Sequence, residues 1–388
     1  MSDTVSIYIH VPFCIKKCVY CDFYSDTQLS FIPEYLCSLE KEIGLRSKKQ
    51  TDQRVDTIYF GGGTPSVLTI HQVETLLKTV QKNFSISPDA EITFEVNPGT
   101  IDEHYLAALK DIGITRLSLG IQSFNKEKLA FLQRIHSVRQ GRDAVEYARK
   151  AGFDNISLDL MYGLPFETKE LWHMDLTTAL QMAPSHLSCY MLTIEPGTPL
   201  DEHQQNKKFK PICPDVLWDL FEKTSRTLET SGYEHYEISN FSRGKKNRSA
   251  HNSGYWNMKP YMGFGPAAHS YDNDIRSWNI RDVAGYICKL EAEHLPVEET
   301  EALTLDQKML EMIMLRLRTL EGIDLEDFKR RFGITFESRF EQVIDQVCSA
   351  SMGKIEKGTI EEPRFFLTLE GKTHLNSIVE AFSQRLVE

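Results

Sequence analysis

Residues 6–21 read SIYIHVPFCIKKCVYC. The first six alternate apolar with polar or aromatic residues, as a strand does, and the chain then runs directly into a loop that carries Cys14, Cys18 and Cys21. The same order of strand, polar or glycine-rich loop and amphipathic helix recurs to about residue 192. Further strands are expected at 55–60 (VDTIYF), 91–96 (EITFEV), 116–120 (RLSLG), 155–160 (NISLDL) and 186–192 (HLSCYML). Helices are expected between them at 31–45, about 73–84, 103–112, 139–151 and 169–182. Such alternation builds βαβ units and a parallel sheet. Six units in succession suit an α/β fold of the partial (β/α)6 TIM-type barrel, with the loops after the strands gathered at one face.

The rhythm changes after about Cys213. A helix is expected at 215–230, then a polar and aromatic stretch over 233–278 with little regular period, including the basic run Arg243, Lys245, Lys246 and Arg248. From Leu303 the pattern is helical again, and a hairpin at 354–360 and 364–369 precedes a last helix. Three parts follow: a barrel core at 1–232, an irregular extension at 233–300, and a mostly helical, winged-helix-like domain at 301–388. The last has no basic recognition helix and reads as a cap or partner-binding unit rather than a DNA reader.

At roughly 150 residues per domain, 388 residues accommodate this division. A net charge of −11 argues against a general nucleic-acid binder. No stretch approaches the roughly 18 uninterrupted apolar residues of a membrane span. Met1, Ser2, Asp3, Thr4 and Val5 lead into the first strand without a basic and apolar leader, so a cytoplasmic location is expected. Of the eight cysteines, Cys37, Cys189, Cys213, Cys288 and Cys348 are scattered and read as small buried apolar side chains, whereas three lie within eight residues.

Those three thiols can grip one ion or one cluster. A structural zinc needs four closed ligands, and His10 could complete a Cys3His set, but His10 falls within the strand. A [4Fe–4S] cluster held by only three cysteines leaves one iron open to an outside ligand, and the C-x3-C-x2-C spacing after a strand favours that reading. Other polar groups are expected at the same rim. Gly61, Gly62 and Gly63 before Thr64 and Pro65 let backbone N–H groups approach a ligand. Glu95, Gln122 and Asp159 end or follow the third, fourth and fifth strands, and Arg134 comes on the helical stretch after the fourth. Together they suit a ribose, an adenine and a carboxylate.

On these motifs the chain resembles the radical S-adenosylmethionine (SAM) enzymes. The resemblance implies a cluster whose open iron binds the amino and carboxylate groups of SAM and passes it an electron, yielding a 5′-deoxyadenosyl radical. Clusters at about −400 mV and below suit that reduction. It further implies that Gly62, Gly63 and Thr64 hold the methionine end, and that Glu95, Gln122, Arg134 and Asp159, with Tyr8 and Tyr20, contact the cofactor.

Within that family, Tyr8-Ile9-His10-Val11-Pro12-Phe13-Cys14, Gly61–Pro65 and Tyr162-Gly163-Leu164-Pro165 are similar to the oxygen-independent coproporphyrinogen III oxidase group of porphyrin biosynthesis, and the similarity runs nearly the whole chain. Two features point away from the oxidases. They carry a fourth cysteine where Phe23 stands here, and they have a long segment ahead of the position of Tyr8, which only seven residues precede here. His251-Asn252-Ser253-Gly254-Tyr255-Trp256 instead resembles the HNxxYW signature of their relatives the heme chaperones. The implied function is to bind heme and pass it to a membrane-associated or soluble acceptor, with an electron donor serving the cluster. His251 would be an axial ligand and the basic run would meet the propionates. The alternative is oxidative decarboxylation of coproporphyrinogen III; a zinc-binding module is more distant. No C-x-x-C-H motif signals covalent heme attachment.

Overall fold

The computed structural model describes residues 4–48, 53–357 and 362–387, with the side chains of Lys357 and Val387 left aside. Residues 1–3 and the 358–360 part of the expected hairpin lie outside the described residues. Six parallel strands run in sequence order through the middle of one sheet: β1 (Thr4–Val11), β2 (Arg54–Gly62), β3 (Ile86–Val96), β4 (Arg116–Gln122), β5 (Asn155–Tyr162) and β6 (His186–Met191). Along each, apolar residues such as Ile7, Ile9, Ile58, Phe60, Phe94, Leu117, Leu158 and Leu187 point to one side and join the main core with the helices. The residues between them are polar and face the other side. Tyr59, Glu95, Arg116, Ser118, Asp159 and Ser188 line one cavity there. The period of two therefore turns each strand's polar half into the lining of the partial barrel.

The expected strand–helix order is present throughout this part, with boundaries moved by a few residues. One correction concerns Arg134. It lies not on a helix but in the turn between the Lys126–Phe131 and Val138–Lys150 helices, where Gln133 has φ 53° and Ser137 caps the second helix.

Residues 233–302, whose sequence shows little period, extend the sheet at both edges. β7 (Glu234–Glu237) and β8 (Asn240–Ser242) add antiparallel beside β6. β9 (Tyr261–Phe264) adds parallel to β1, and β10 (His269–Asp272), β11 (Ile275–Asn279) and β12 (Val297–Ala302) continue antiparallel outward. These strands are three to six residues long, too short for a periodic signal, and the pairings that join them to the barrel, β8 with β6 and β9 with β1, link strands distant in sequence. The C-terminal part has its own core around Phe328, Phe336, Phe340, Phe365 and Phe382. β13 (Ile323–Asp324), β14 (Gly353–Lys357) and β15 (Pro363–Leu367) form a small sheet in the order β13-β15-β14, so the expected two-stranded wing gains a third strand. Ion pairs Arg318–Glu237 (3.0 Å) and Arg276–Glu311 tie this part to the extended sheet. No helix among the described residues is long and apolar enough to cross a membrane.

Candidate cofactor site

The cysteine loop leaves β1 at Pro12 and is closed at its base: Asp26 N–H donates to Pro12 O (2.6 Å) and Cys14 N–H to Asp26 O (2.9 Å). Leu200 N–H donates to Val19 O (2.9 Å) and fastens the far side of the loop to the Pro199–Gln205 helix. Cys14 is buried, and Cys18 and Cys21 are half-buried. All three line one cavity of about 560 Å³ with Tyr20, Gly62, Gly63, Thr64, Glu95, Gln122, Arg134 and Asp159. Of the expected cofactor contacts in the barrel, only Tyr8 does not line it. The five scattered cysteines are elsewhere. Only Cys189 is buried; Cys37, Cys213 and Cys288 are exposed and Cys348 half-buried, which corrects the reading of all five as core residues. Cys37, for instance, lies off the buried face of its helix, which is formed by Tyr35, Leu36, Leu39 and Ile43.

The glycine run shapes one wall. Gly62 has φ 109°, and a Cβ there would stand 2.6 Å from the His10 ring; at Gly63 a Cβ would stand 2.8 Å from the carbonyl oxygen of Phe13. Only glycine lets the end of β2 lie this close to the root of the cysteine loop. Thr64 then reaches Cys14, with Oγ1 and Sγ 3.4 Å apart. On the opposite wall Arg134 donates to Gly120 O (2.7 Å) and lies 3.5 Å from Cys18 Sγ. Gln122 holds φ 63° at the end of β4, where the pairing with β5 slips, and this turns its side chain to the rim.

The carboxylates lie deeper. Glu95 accepts from the Tyr59 hydroxyl (2.7 Å), and Asp159 from Ser118 (2.9 Å) and Ser157 (3.2 Å). Burial pushes Glu95 up to about 7 against the pull of Tyr59, and raises Asp159 as well. Arg116 was missed from sequence. It is 2% exposed, lines the cavity floor, and its Nε has no partner among the described residues. Its signal was its place at the head of the alternation Arg116, Ser118, Gly120, Gln122.

His10 is spoken for: it accepts at Nδ1 from the Tyr8 hydroxyl (3.0 Å) and donates from Nε2 to Tyr24 O (2.9 Å). It therefore cannot complete a zinc set. No group of three or more His, Cys, Asp or Glu side chains among the described residues closes on a single metal ion.

The HNxxYW helix, Ala250–Trp256, packs against the inner side of β2 and divides its residues among three places. Asn252 lines the cysteine cavity. Trp256 stacks under Arg318 of the C-terminal part, 4.1 Å from ring to guanidinium carbon. His251 is 1% exposed, with Nδ1 2.8 Å from Thr57 Oγ1 and Nε2 2.9 Å from Tyr255 OH. In either tautomer its one lone pair faces a hydroxyl, so iron would have to displace Thr57 or Tyr255 to reach it. The basic run also departs from expectation. Arg248 pairs with Glu234 and Glu321, Arg243 lies over Tyr233, and Lys245 and Lys246 border a shallow hollow with Asp89 and Glu91 near the start of β3. That is the end of the barrel opposite the cysteines.

Residues 8–177 match the Radical SAM superfamily and residues 303–372 the HemN C-terminal domain. Heme chaperone HemW of Bacillus subtilis is 33% identical over 97% of this chain and 98% of its own length; HemW of Escherichia coli gives the same figures. The chain belongs to the HemW family of radical SAM proteins. HemW of a Synechocystis strain is 38% identical over 81% of the chain. Among solved structures, coproporphyrinogen III oxidase (HemN) of E. coli superposes with a TM-score of 0.84, covering 98% of this chain and 90% of its own at 24% identity, a likeness of fold.

Membership of the HemW family and the radical SAM superfamily implies a [4Fe–4S] cluster and SAM, and the donor set fits them. Three thiols line one cavity without converging on one point, as a cluster with several irons requires. Burial holds the Cys14 thiol up and Cys21 at about 11, so these groups ionise readily only against bound cations.

Proposed function

We propose that this protein is a heme chaperone, binding heme and passing it to an acceptor protein, with Cys14, Cys18 and Cys21 holding a [4Fe–4S] cluster. Gly62, Gly63 and Thr64 hold the methionine end of SAM, Arg134 meets its carboxylate, and Glu95, Gln122, Asp159 and Tyr20 engage its ribose and adenine. Tyr8 acts one step removed, through His10. When bound, the cluster supplies an electron at low potential to the SAM sulfonium. The chain's own part is to exclude water, to fix the ligand with charge-assisted contacts at the rim, and to keep Glu95 able to hold or release a proton near neutral pH.

The observation that carries the reading is the end-to-end similarity to heme chaperones, which spans both the barrel and the C-terminal part. Phe23, 68% exposed where the oxidases carry their fourth cysteine, adds to it. The acceptor in this reading is a heme-binding apoprotein in the cytoplasm or at the membrane surface.

The test is an anaerobic heme titration of cluster-reconstituted protein followed by visible absorption, and then transfer to an apo-hemoprotein. Saturation near one heme per chain with a shifted Soret band is expected. Unsaturable absorption, or conversion of coproporphyrinogen III to protoporphyrinogen IX at enzymatic rates, would replace this reading with the oxidase.

A further inference from the structure

Ile15, Lys16 and Lys17 form the covalent link between Cys14 and Cys18, two of the three thiols that line the cofactor cavity. Cys14 is buried and Cys18 half-buried, whereas all three linking residues are exposed, Ile15 to 53%. The loop is fastened on both sides, at Pro12 by Asp26 and at Val19 by Leu200, so this apex is held outward. Lys16 and Lys17 border the cavity, and their ammonium groups make no hydrogen bond or ion pair among the described residues. A single exposed isoleucine is ordinary on a protein surface. What sets Ile15 apart is its place, directly bonded to one ligand thiol's residue and three positions from the next. The other stretch between two of the cysteines is closed to solvent by comparison, with Val19 buried and Tyr20 half-buried.

A second basic run joins this face. Lys207, Lys208 and Lys210 are exposed and follow the Pro199–Gln205 helix to which the loop is fastened. Their ammonium groups also make no hydrogen bond or ion pair among the described residues. Phe209 between them anchors the run. Its ring meets Phe131 at 5.7 Å, and Phe131 meets the half-exposed Phe166 at 5.4 Å. Phe131 and Tyr20 of the cysteine loop pack on the same three residues, Leu132, Met161 and Leu164. Neither 15–19 nor 206–212 contains an acidic residue, in a chain whose net charge is −11. On the connecting helix, Asp201 is engaged by Gly197 N–H (2.9 Å) and Gln205 (3.0 Å), which leaves Asp22, Glu195 and Glu202 against these lysines.

We propose that this face receives an acidic one-electron carrier protein, which reduces the cluster across the Ile15–Lys17 peptide. The proposal rests on the cluster reading of Cys14, Cys18 and Cys21 and does not need the heme reading. The lysines steer and orient the partner, and Ile15 is covered at the contact. The step moves one electron: the carrier is oxidised by one unit, the cluster is reduced by one, and no bond forms or breaks. Electron tunnelling falls exponentially with distance, so a carrier gains most where exposed backbone runs directly into ligand thiols. Encounters of this kind bury little surface and rely on charge more than on area.

The probe is a plant-type ferredoxin, an acidic [2Fe–2S] protein at about −400 mV. Anaerobic stopped-flow follows bleaching of the reconstituted cluster by the reduced probe, and a titration with the oxidised probe gives affinity independently of electron transfer. The variants are Lys16→Glu with Lys17→Glu, and Lys207→Glu with Lys208→Glu and Lys210→Glu. Iron and sulfide content, thermal unfolding and SAM binding serve as controls. All five side chains are exposed, so the variants keep the fold. Reversal at Lys16 and Lys17 is expected to lower the second-order rate about tenfold at low salt, and both variants to weaken ferredoxin binding. The gap from wild type should close as salt shortens the Debye length. Reduction by the methyl viologen radical cation, which needs no docking, should stay at or above the wild-type rate. Unchanged ferredoxin rate and affinity in both variants, or an equal loss with methyl viologen, would overturn the proposal. A loss that tracks SAM affinity would overturn it in favour of a SAM contact, and lost binding to phosphatidylglycerol vesicles with ferredoxin unaffected in favour of a membrane surface. A wild-type chain that takes up no iron and sulfide removes the cluster reading itself, and the proposal with it.

Discussion

Lys128 is fully buried, and its ammonium serves two buried carboxylates, Asp175 at 2.7 Å and Glu167. Each carboxylate in turn holds a loop at the rim of the cofactor site. Asp175 accepts from Ser123 Oγ and Phe124 N–H, both at 2.7 Å, just after Gln122. Glu167 accepts from Gly163 N–H (2.5 Å) and Leu164 N–H (3.2 Å), just after β5 and Asp159. Lys128→Met would leave two carboxylates buried without a cation, a change that costs about 3–5 kcal/mol. At roughly 2–4 °C per kcal/mol, thermal unfolding followed by circular dichroism should fall by about 10 °C. The sign of its pH dependence follows from the carboxylates. Without the lysine the folded pKa of Glu167, already raised by burial, rises further, so that carboxyl can be buried neutral only where protons are available. The variant should therefore be least damaged near pH 5.5 and most damaged near pH 8, and replacing all three groups with apolar residues should recover much of the loss. A fall below about 2 °C, or an equal fall at both pH values, would refute the account.

Cys14→Ser, Cys18→Ser and Cys21→Ser should each abolish the reconstituted cluster, measured as iron and sulfide per chain; a full cluster in any of them would remove that cysteine from the ligand set. Gly62→Ala puts a Cβ against His10 at φ 109° and should cost about 1–3 kcal/mol in denaturant unfolding, with loss of cluster loading because the end of β2 is pushed off the cysteine loop. Glu95 has its folded pKa raised to about 7, so its contribution to stability is full at low pH and is lost as pH rises through that value. Glu95→Gln should gain on the wild type between pH 5 and 8, by on the order of 3 kcal/mol; parallel stability curves would contradict the buried-carboxylate reading.

Much of the barrel was legible because its information is local. In β1 the residues Val5, Ile7, Ile9 and Val11 alternate with Ser6, Tyr8 and His10, and a period of two assigns the faces without knowledge of any neighbour. The same logic put Glu95, Gln122 and Asp159 on the cavity side, although Asp159 lies three residues inside β5 rather than at its end, and the spacing of three cysteines behind β1 pointed to a cluster. Arg134 was placed beside them for the wrong local reason. It acts from a turn, because Gln133 ends the preceding helix in a left-handed conformation.

What tertiary structure alone decided was which polar groups are already engaged. His251 looks available in the sequence, yet the hydroxyl that occupies its Nδ1 belongs to Thr57, 194 residues away. Lys207, Lys208 and Lys210 carry no motif, and they join the face of the cysteine loop only because Phe209 packs on Phe131. The basic run at 243–248 is likewise drawn to the far end of the barrel by Glu234 and Glu321. Side-chain periodicity is a property of consecutive residues and can be read from them. Whether a lone pair or a charge is free depends on partners brought near by folding, and those the linear pattern does not contain.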